Sequence, residues 1–463
     1  PRAMAARAEQ PSSRDLRRWV AGPVVAALLS AFAACSPDEE GPTPTTSVLL
    51  DPQLADGFAS FPWPSDARLT ADGAPDVGPV TQHGDGDLVD VYKASTLELV
   101  RGFGTSPLIQ LRFDADLAPE TWPTPEDTLV ADSSIALVNV DTESTGFGER
   151  IPLLLDWQGE AGTYTEERTL SAFPAVGFVL RPETTYAFVV LNSLGDAAGA
   201  PLVVPGALSG WLAGEGDPGL VAAYEPLTSA SLAVGIDAAT VAAATVFTTG
   251  STTSELRAIR DFVADPQQLD APEVLSFEPS EDYNLYGFLT VYEGTYETPI
   301  FQRGEPPYST EGGGFEFADG EPVVQRHESL LFSLTVPTSE APEGGFPVVI
   351  ALPGTAGTPF DHFHPNSATA QGQLLSARGV ATFSFEPPLH GSRGEGSGAQ
   401  PDLHSYNFFN PESSRSVFRQ EAIDASVAIR VLRESLAPAH PQLHLDTDRL
   451  GFFGHSQGAH IGM

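Results

Sequence analysis

The chain has 463 residues, of which 41% are hydrophobic, and its 44 glycines and 41 prolines are spread along its length. This composition is typical of a globular protein of two or three domains and excludes a disordered or fibrous one. The 61 acidic residues outnumber the 23 basic ones and give a formal charge of −38. Such a charge repels phosphate, so it argues against nucleic-acid binding through a basic groove.

The first 35 residues differ in character from the rest and do not belong to the fold. An arginine-containing segment, 7–18, precedes an apolar run, 19–34, that is shorter than the roughly 20 residues of a membrane span. The run ends in small residues before Cys35, the only cysteine. This pattern resembles a bacterial lipoprotein signal, which implies lipidation of Cys35 and a place at the cell envelope, on the outer membrane or cell surface. A secretory signal with an incidental cysteine is the alternative.

A polar, proline-rich tether follows at 36–46, and β-type sequence fills 47–250. Short apolar runs are separated there by clusters of glycine, proline and aspartate. The runs are 107–113, 134–140, 151–157 and 184–192. They predict an all-β sandwich. Residues 180–202 resemble the closing hairpin of immunoglobulin-like domains, so we expect an immunoglobulin-like domain here.

Residues 251–327 are interpreted as a connector subdomain. Leu256, Ile259 and Val263 recur on one face of a predicted helix at 253–265, and 285–293 is strand-like. No chemistry is assigned to this segment.

From residue 328 to 463, strands alternate with helices, which predicts an α/β sheet. The predicted strands are 329–337, 346–352, 379–386 and 449–454, and the predicted helices are 368–378 and 414–436. The run 346–352 is almost wholly apolar, as in a strand buried on both faces.

The last of these strands runs into Gly454-His455-Ser456-Gln457-Gly458, a G-x-S-x-G sequence. This motif is frequent by chance in a glycine-rich chain, so its context matters. A strand before it and small residues around it predict a nucleophile elbow, in which a serine is held on a sharp, strained turn. Ser456 is therefore the candidate nucleophile.

A second glycine-rich loop, PGTAGT at 353–358, follows the apolar strand 346–352. The backbone N–H groups near Gly354 and Thr355, with that of Gln457, are the candidate oxyanion hole. One such donor contributes about 3 to 4 kcal/mol to catalysis. The alternative is a glycine-rich turn without a catalytic role.

Four segments, 346–358, 379–391, 406–432 and 449–462, together resemble the α/β-hydrolases. Within that superfamily the chain is similar to bacterial extracellular lipases and esterases that carry a β-rich N-terminal domain. The resemblance implies a serine esterase that uses Ser456 as nucleophile and Gln457, Gly354 and Thr355 as oxyanion hole, and that requires no cofactor or metal. His455 would be a structural neighbour.

In this fold the triad acid and histidine follow the nucleophile in sequence. The residues after Ser456 include His460, interpreted as structural, and no carboxylate. Upstream, we assign only loop contacts to the histidines 362, 364, 390 and 404. We therefore expect an incomplete, C-terminally truncated hydrolase domain that lacks the triad Asp and His and is inactive by itself.

Residues 390–410 follow a strand at the edge where the site is expected. Tyr406, Phe408 and Phe409 could line an acyl pocket or a mobile lid, or belong to an ordered loop with buried aromatics.

Two further patterns suggest metals only weakly. His362 and His364 lack an evident third ligand, and a solvated acidic turn is favoured over a calcium site for Asp85, Asp87 and Asp90.

These observations favour a serine carboxylic-ester hydrolase, a lipase or esterase, with a lipid or a small ester as substrate. The membrane would be contacted through the N-terminal lipid anchor, and no nucleic acid is expected as partner. The alternatives are a non-catalytic surface binding lipoprotein with a hydrolase-like domain, and a serine peptidase of the same fold.

Overall fold

The computed structural model describes residues 43, 45–78, 80, 87–284, 287–363 and 370–462. The predicted lipidation site Cys35 lies outside these residues, as do His364 and Asp85. Among the helices that are described, none is both long and apolar enough to cross a membrane.

Among the described residues, the N-terminal part forms seven strands and three helices. The strands are β1 (Ile109–Arg112), β2 (Ile135–Asn139), β3 (Arg150–Ile151), β4 (Leu153–Gln158), β5 (Thr169–Pro174), β6 (Thr185–Leu191) and β7 (Val241–Thr248). The helices are α1 (Asp87–Leu99), α2 (Gly206–Leu212) and α3 (Pro218–Ala230). Antiparallel pairing gives one sheet of order β1-β5-β4 and another of order β3-β2-β6-β7.

The four-stranded sheet is buried on both faces. Successive side chains of a strand point to opposite faces, so Ile135 and Leu137 of β2 join the core shared with β1-β5-β4. Ala136 and Val138 instead pack in a second core with α2 and α3. The two sheets thus pack as a sandwich, but the helical layer is not a feature of immunoglobulin-like domains. The immunoglobulin-like assignment is not confirmed.

The C-terminal part contains eight strands and six helices among the described residues. The strands are β8 (Val274–Pro279), β9 (Leu289–Ile300), β10 (Phe317–Ala318), β11 (Glu321–Pro322), β12 (Arg326–Pro337), β13 (Phe346–Leu352), β14 (Ala381–Phe385) and β15 (Leu445–Gly454). The helices are α4 (Ser254–Ala264), α5 (Gln371–Ser376), α6 (Gly391–Gly394), α7 (Pro401–His404), α8 (Pro411–Arg430) and α9 (Ala437–Ala439). A π-helical segment, Val431–Leu436, links α8 to α9. Short 3₁₀ helices cover Phe58–Ser60, Asp66–Arg68, Pro119–Thr121, Asp127–Leu129, Asn192–Leu194, Ala238–Thr240, Pro441–Leu443 and Ser456–His460.

Six of these strands form one mixed sheet of order β15-β13-β14-β12-β9-β8. β13 is parallel to β14 and β15, whereas β12 pairs antiparallel with β14 and β9. The predicted connector, 251–327, supplies β8 and β9 to this sheet. The sheet therefore continues across the predicted boundary at 327/328, because β9 pairs with β12 along its whole length.

One core joins this sheet to α4 and α8. Asn410 caps the N-terminus of α8, because its side chain accepts a hydrogen bond from the Ser413 N–H. Pro411 occupies the first position of the helix, where the missing N–H costs nothing. Ile423 and Val427 pack on the sheet, and Ile259 of α4 joins the same core. The buried face of α8 also carries three polar side chains: Gln420, Glu421 and Asp424.

Candidate active site

Two parallel neighbouring strands, β13 and β15, end side by side, with Leu352 opposite Gly454. The PGTAGT loop (353–358) and the predicted elbow (454–458) therefore meet at the same edge of the sheet. His455 N–H donates to Leu352 O at 3.1 Å, and Gly458 N–H donates to Pro353 O at 3.1 Å. Parallel pairing thus brings together the two segments that the sequence singled out.

Ser456 lies at the sharp turn between β15 and the 3₁₀ helix Ser456–His460. Its φ of 50° is in the left-handed region, which costs a residue with a Cβ about 1 to 2 kcal/mol. Strain of this kind is typical of a nucleophile elbow. Ser456 is also exposed, so a substrate can reach it.

Three glycines allow the close approach of the elbow and the loop. A Cβ at Gly454 would lie 2.3 Å from Gly458 O, and a Cβ at Gly458 would lie 2.6 Å from Leu352 O. A Cβ at Gly354 would lie 3.1 Å from Ser456 Cβ. The backbone of the PGTAGT loop therefore passes directly beside Ser456, where the predicted oxyanion hole would have to lie.

The loop itself is held by a turn and by His390. Gly357 N–H donates to Gly354 O at 2.9 Å, and Ala356, at φ 63°, donates its N–H to His390 Nε2 at 2.9 Å. The other ring nitrogen, Nδ1, lies 2.8 Å from Pro388 O, which fixes the neutral tautomer. Burial lowers the pKa of His390, and Arg393 adds to this effect, so the ring stays neutral and Nε2 remains an acceptor.

The Thr355 backbone N–H has no acceptor among the described residues, and it adjoins Gly354 in the segment that faces Ser456. Gln457 is fully buried and follows Ser456 directly. The predicted site residues Ser456, Gln457, Gly354 and Thr355 therefore lie together.

Side chains also link these segments to α8. Gln457 Nε2 donates to Glu421 Oε2 at 2.9 Å, and Thr355 Oγ1 donates to Gln457 Oε1 at 3.0 Å. Thr355 Oγ1 lies 3.1 Å from the Tyr406 hydroxyl. Burial raises the pKa of Glu421 to about 7, although the hydrogen bond from Gln457 opposes the shift. Glu421 was not predicted as a site residue. The sequence signal for it is its position on the predicted helix 414–436, where this carboxylate lies one turn after Val417 on the apolar face.

A buried ion pair lies beside this network. Arg393 of α6 contacts Asp424 at 2.7 Å and Glu328 at 2.9 Å, and the side chains of Arg393 and Asp424 are 2% and 0% exposed. Burial disfavours the charge of Arg393, but the two carboxylates raise the pKa of its guanidinium, which stays charged. The pair anchors the loop that carries His390, and His390 in turn holds the PGTAGT loop.

No family model matches the chain, and no curated protein is significantly similar to it. Solved structures with partial similarity include esterases. An acetyl xylan esterase from Paenibacillus sp. R4 is 20% identical over 46% of this chain and 54% of its own, with a TM-score of 0.26. Acetyl xylan esterase 1 from Thermoanaerobacterium sp. JW/SL YS485 is 14% identical over 45% of this chain and 52% of its own, with a TM-score of 0.29.

For an S-formylglutathione hydrolase from Agrobacterium tumefaciens, identity is 14%, over 41% of this chain and 55% of that one, and the TM-score is 0.19. The chain spans about half the length of the esterases that it matches. At these TM-scores the superpositions are partial, so the proposed function rests on the geometry around Ser456.

None of the histidines that the structure describes is hydrogen-bonded to Ser456 Oγ. His460 packs against Phe418, with ring centroids 6.2 Å apart. His362 is buried against Phe453, and His404 Nδ1 accepts a hydrogen bond from Gln400 N–H at 2.8 Å. His404, for which only loop contacts were predicted, is the last residue of α7. In the described part of the chain, Ser456 therefore has no base.

The three aromatic residues of segment 405–410, Tyr406, Phe408 and Phe409, have different surroundings. Tyr406 contacts Thr355 through its hydroxyl and packs against Phe418. Phe408 and Phe409 are 61% and 62% exposed. Phe409 lines a cavity of about 730 Å³ between α1 and the start of α8, and neither the elbow nor the PGTAGT loop contributes to that cavity. Of the three predicted pocket residues, only Tyr406 contacts the candidate site.

The weak metal predictions gain no support. In the part of the chain that the structure describes, no group of three or more His, Cys, Asp or Glu residues could hold a metal ion. Asp90 lies on α1, so a helix begins within the segment for which we predicted an acidic turn. His364 and Asp85, the partners in the two patterns, lie outside the described residues.

The raised pKa of Glu421 predicts a dependence of stability on pH. The folded protein binds the Glu421 proton more tightly than the unfolded chain, whose pKa is near 4.5. The contribution of this proton to the free energy of unfolding is fully present below about pH 4.5 and is lost as pH rises through about 7. The loss is about 3 kcal/mol, because each unit of difference in pKa is worth about 1.4 kcal/mol. Glu421→Gln cannot titrate. We expect the unfolding free energy of the unmodified protein, measured with urea, to fall relative to this variant over that range; parallel curves would contradict the assignment.

Proposed function

We propose that this protein is a serine carboxylic-ester hydrolase that works through an acyl-serine intermediate. The observation that carries the proposal is Ser456 in a left-handed backbone conformation, in a turn with glycines on both sides, beside the loop that follows β13. Backbone strain at the exposed Ser456, which lies in the elbow beside the PGTAGT loop, favours a catalytic site over a glycine-rich turn without a catalytic role.

In the proposed reaction, Ser456 Oγ attacks the ester carbonyl carbon and its proton passes to a general base. The carbonyl oxygen becomes an oxyanion that accepts hydrogen bonds from the backbone N–H groups of Gln457 and Thr355. Collapse of this intermediate expels the alcohol, which takes up the proton, and leaves an ester on Ser456. Water then attacks the acyl-serine and releases the carboxylic acid. The base and its acid partner are expected to follow Ser456 in sequence, as is usual in this fold.

We further propose that Cys35 carries a lipid anchor and that the enzyme acts on lipid or small esters at the bacterial envelope. The support is the arginine-containing segment, the apolar run and the small residues that precede Cys35.

The test is covalent labelling of the full-length gene product with a fluorophosphonate probe. We expect one adduct, mapped by mass spectrometry to the peptide with Ser456, together with loss of hydrolysis of a p-nitrophenyl ester. Ser456→Ala is the control and should take up no probe. An unlabelled protein that hydrolyses no ester would favour the non-catalytic binding lipoprotein. The anchor is tested in the same preparation: labelled protein should sediment with membranes, and Cys35→Ser should release it.

A further inference from the structure

Glu421 is a buried carboxyl group that the proposed steps of ester hydrolysis leave without a role. Its side chain is fully buried, and among the described residues it is held by one hydrogen bond, from Gln457 Nε2 to Oε2. Its second oxygen, Oε1, has no partner there. Burying an incompletely paired carboxyl costs free energy, and such groups cluster at functional sites.

The hydrogen bond from Gln457 to Glu421 determines the direction of the bonds that follow it. With Nε2 of Gln457 directed at Glu421, Oε1 of the same carboxamide faces Thr355 and accepts its hydroxyl proton at 3.0 Å. The Thr355 oxygen can then only accept from the Tyr406 hydroxyl, 3.1 Å away. One acceptor on α8 thus orients a side chain of the elbow and a side chain of the PGTAGT loop.

Both of these side chains belong to residues whose backbone N–H groups form the candidate oxyanion hole. Their side chains bond to each other, so the two donors keep a fixed separation as long as the Gln457 carboxamide keeps its orientation. The other charged groups near Glu421 are Asp424 and Arg393, which are paired with each other. Gln457 is therefore the group through which Glu421 can act on the site.

We propose that Glu421 is a positioning residue that orients Gln457 and, through it, Thr355, and so holds the two oxyanion donors in place. This inference rests on the proposed ester hydrolysis. Glu421 touches neither the substrate nor the reacting atoms, so its effect is expected on kcat: an oxyanion hole binds the transition state more tightly than the substrate.

The test compares Glu421→Leu, which has a similar size but no acceptor, with Glu421→Gln, which keeps one. Steady-state hydrolysis of a p-nitrophenyl ester by the full-length gene product is measured. We expect Glu421→Leu to lower kcat by about 10- to 100-fold with KM within about threefold, since one misplaced oxyanion donor costs up to about 10²- to 10³-fold. The kcat of Glu421→Gln should lie within about threefold of the kcat of the unmodified protein. Glu343→Leu, which changes an exposed carboxylate in the loop between β12 and β13, is the control and should leave both constants unchanged.

Gln457→Met breaks the same link from its other end and keeps the backbone N–H group. We expect it to lower kcat about as much as Glu421→Leu, and the double variant to be no worse than either single one, because both remove one interaction. If Glu421→Leu does not fold, Gln457→Met carries the test. Unchanged kcat in a folded Gln457→Met or Glu421→Leu variant would overturn the proposal, as would additive losses in the double variant.

The same measurements separate this inference from the proposed function. If the unmodified protein hydrolyses the ester and labels at Ser456 while folded Glu421→Leu is equally active, only the role of Glu421 is wrong. If the unmodified protein shows neither hydrolysis nor labelling, the proposed function is overturned and this inference with it.

Discussion

Gly458→Ala is expected to slow the proposed ester hydrolysis by about 100-fold and to lower the free energy of unfolding by about 3 kcal/mol, the upper part of the usual range for overpacking. The new Cβ would lie 2.6 Å from Leu352 O, 2.7 Å from Leu352 Cβ and 2.7 Å from Pro353 O. Two of these atoms belong to the backbone of the strand and loop next to the elbow, so no rotamer change relieves the contact. The elbow has to move, and a shift of about 1 Å at a catalytic group can cost about 10²-fold in rate.

Gly206→Ala is the matched control for this substitution. Gly206 begins α2, and a Cβ there would meet no atom within 4 Å. The expected change in stability is below about 1 kcal/mol, and in the direction of stabilisation. Urea unfolding and ester hydrolysis of both variants provide the measurements. A Gly458→Ala enzyme as active and as stable as the Gly206→Ala enzyme would show that the described elbow geometry is wrong.

Arg393→Met is expected to lower the free energy of unfolding by about 3 to 5 kcal/mol, as is usual when one partner of a buried ion pair is removed. Methionine fills much of the space of the arginine stem but leaves Asp424 charged and unpaired in a dry environment. The loop with His390 would also lose its anchor, since Arg393 Nη1 donates to Glu386 O at 3.1 Å in addition to its carboxylate contacts. We therefore expect ester hydrolysis to fall together with stability.

An exposed arginine pair provides the comparison. Arg181 contacts Glu149 at 3.2 Å with both side chains half exposed, and Arg181→Met should cost less than about 1 kcal/mol. If the loss in Arg393→Met comes from the unpaired charge, adding Asp424→Asn should recover a large part of it. A loss in Arg393→Met no larger than that in Arg181→Met would mean that the buried pair contributes little.

The strands and the elbow could be predicted because their signals are local. The run 346–352 is apolar from end to end, and β13 has these bounds in the structure. Gly454 and Gly458 flank Ser456, and the clearances at both positions show why residues without a Cβ are required there. Parallel pairing of β13 and β15 then brings Gly354 and Thr355 to Ser456, which the order of strands and loops in an α/β sheet had suggested.

The interactions that support the site could not be predicted in the same way. Glu421 is 36 positions from Gln457, and Asp424 is 31 positions from Arg393. Each contact depends on how α8 lies against the sheet, and this is set by packing of side chains far apart in sequence. The helical pattern places Glu421 one turn after Val417 on the apolar face, but it does not show which groups Glu421 and Asp424 contact.

The connector boundary was placed by composition, which changes near residue 328. Strand pairing does not follow composition: β9 and β12 pair from Leu289 opposite Pro337 to Ile300 opposite Arg326. The long pairing is invisible in the sequence because β9 lies in a stretch rich in glycine, proline and glutamate.

This pairing determines where the protein can be divided for expression. A fragment that starts at 328 would lack β8, β9 and α4, and would expose the edge of β12 together with the apolar surface that Tyr296 and Ile259 cover. An uncovered strand edge next to apolar surface promotes aggregation. A fragment intended to carry Ser456 in a folded sheet therefore has to begin before Ser254, where α4 starts.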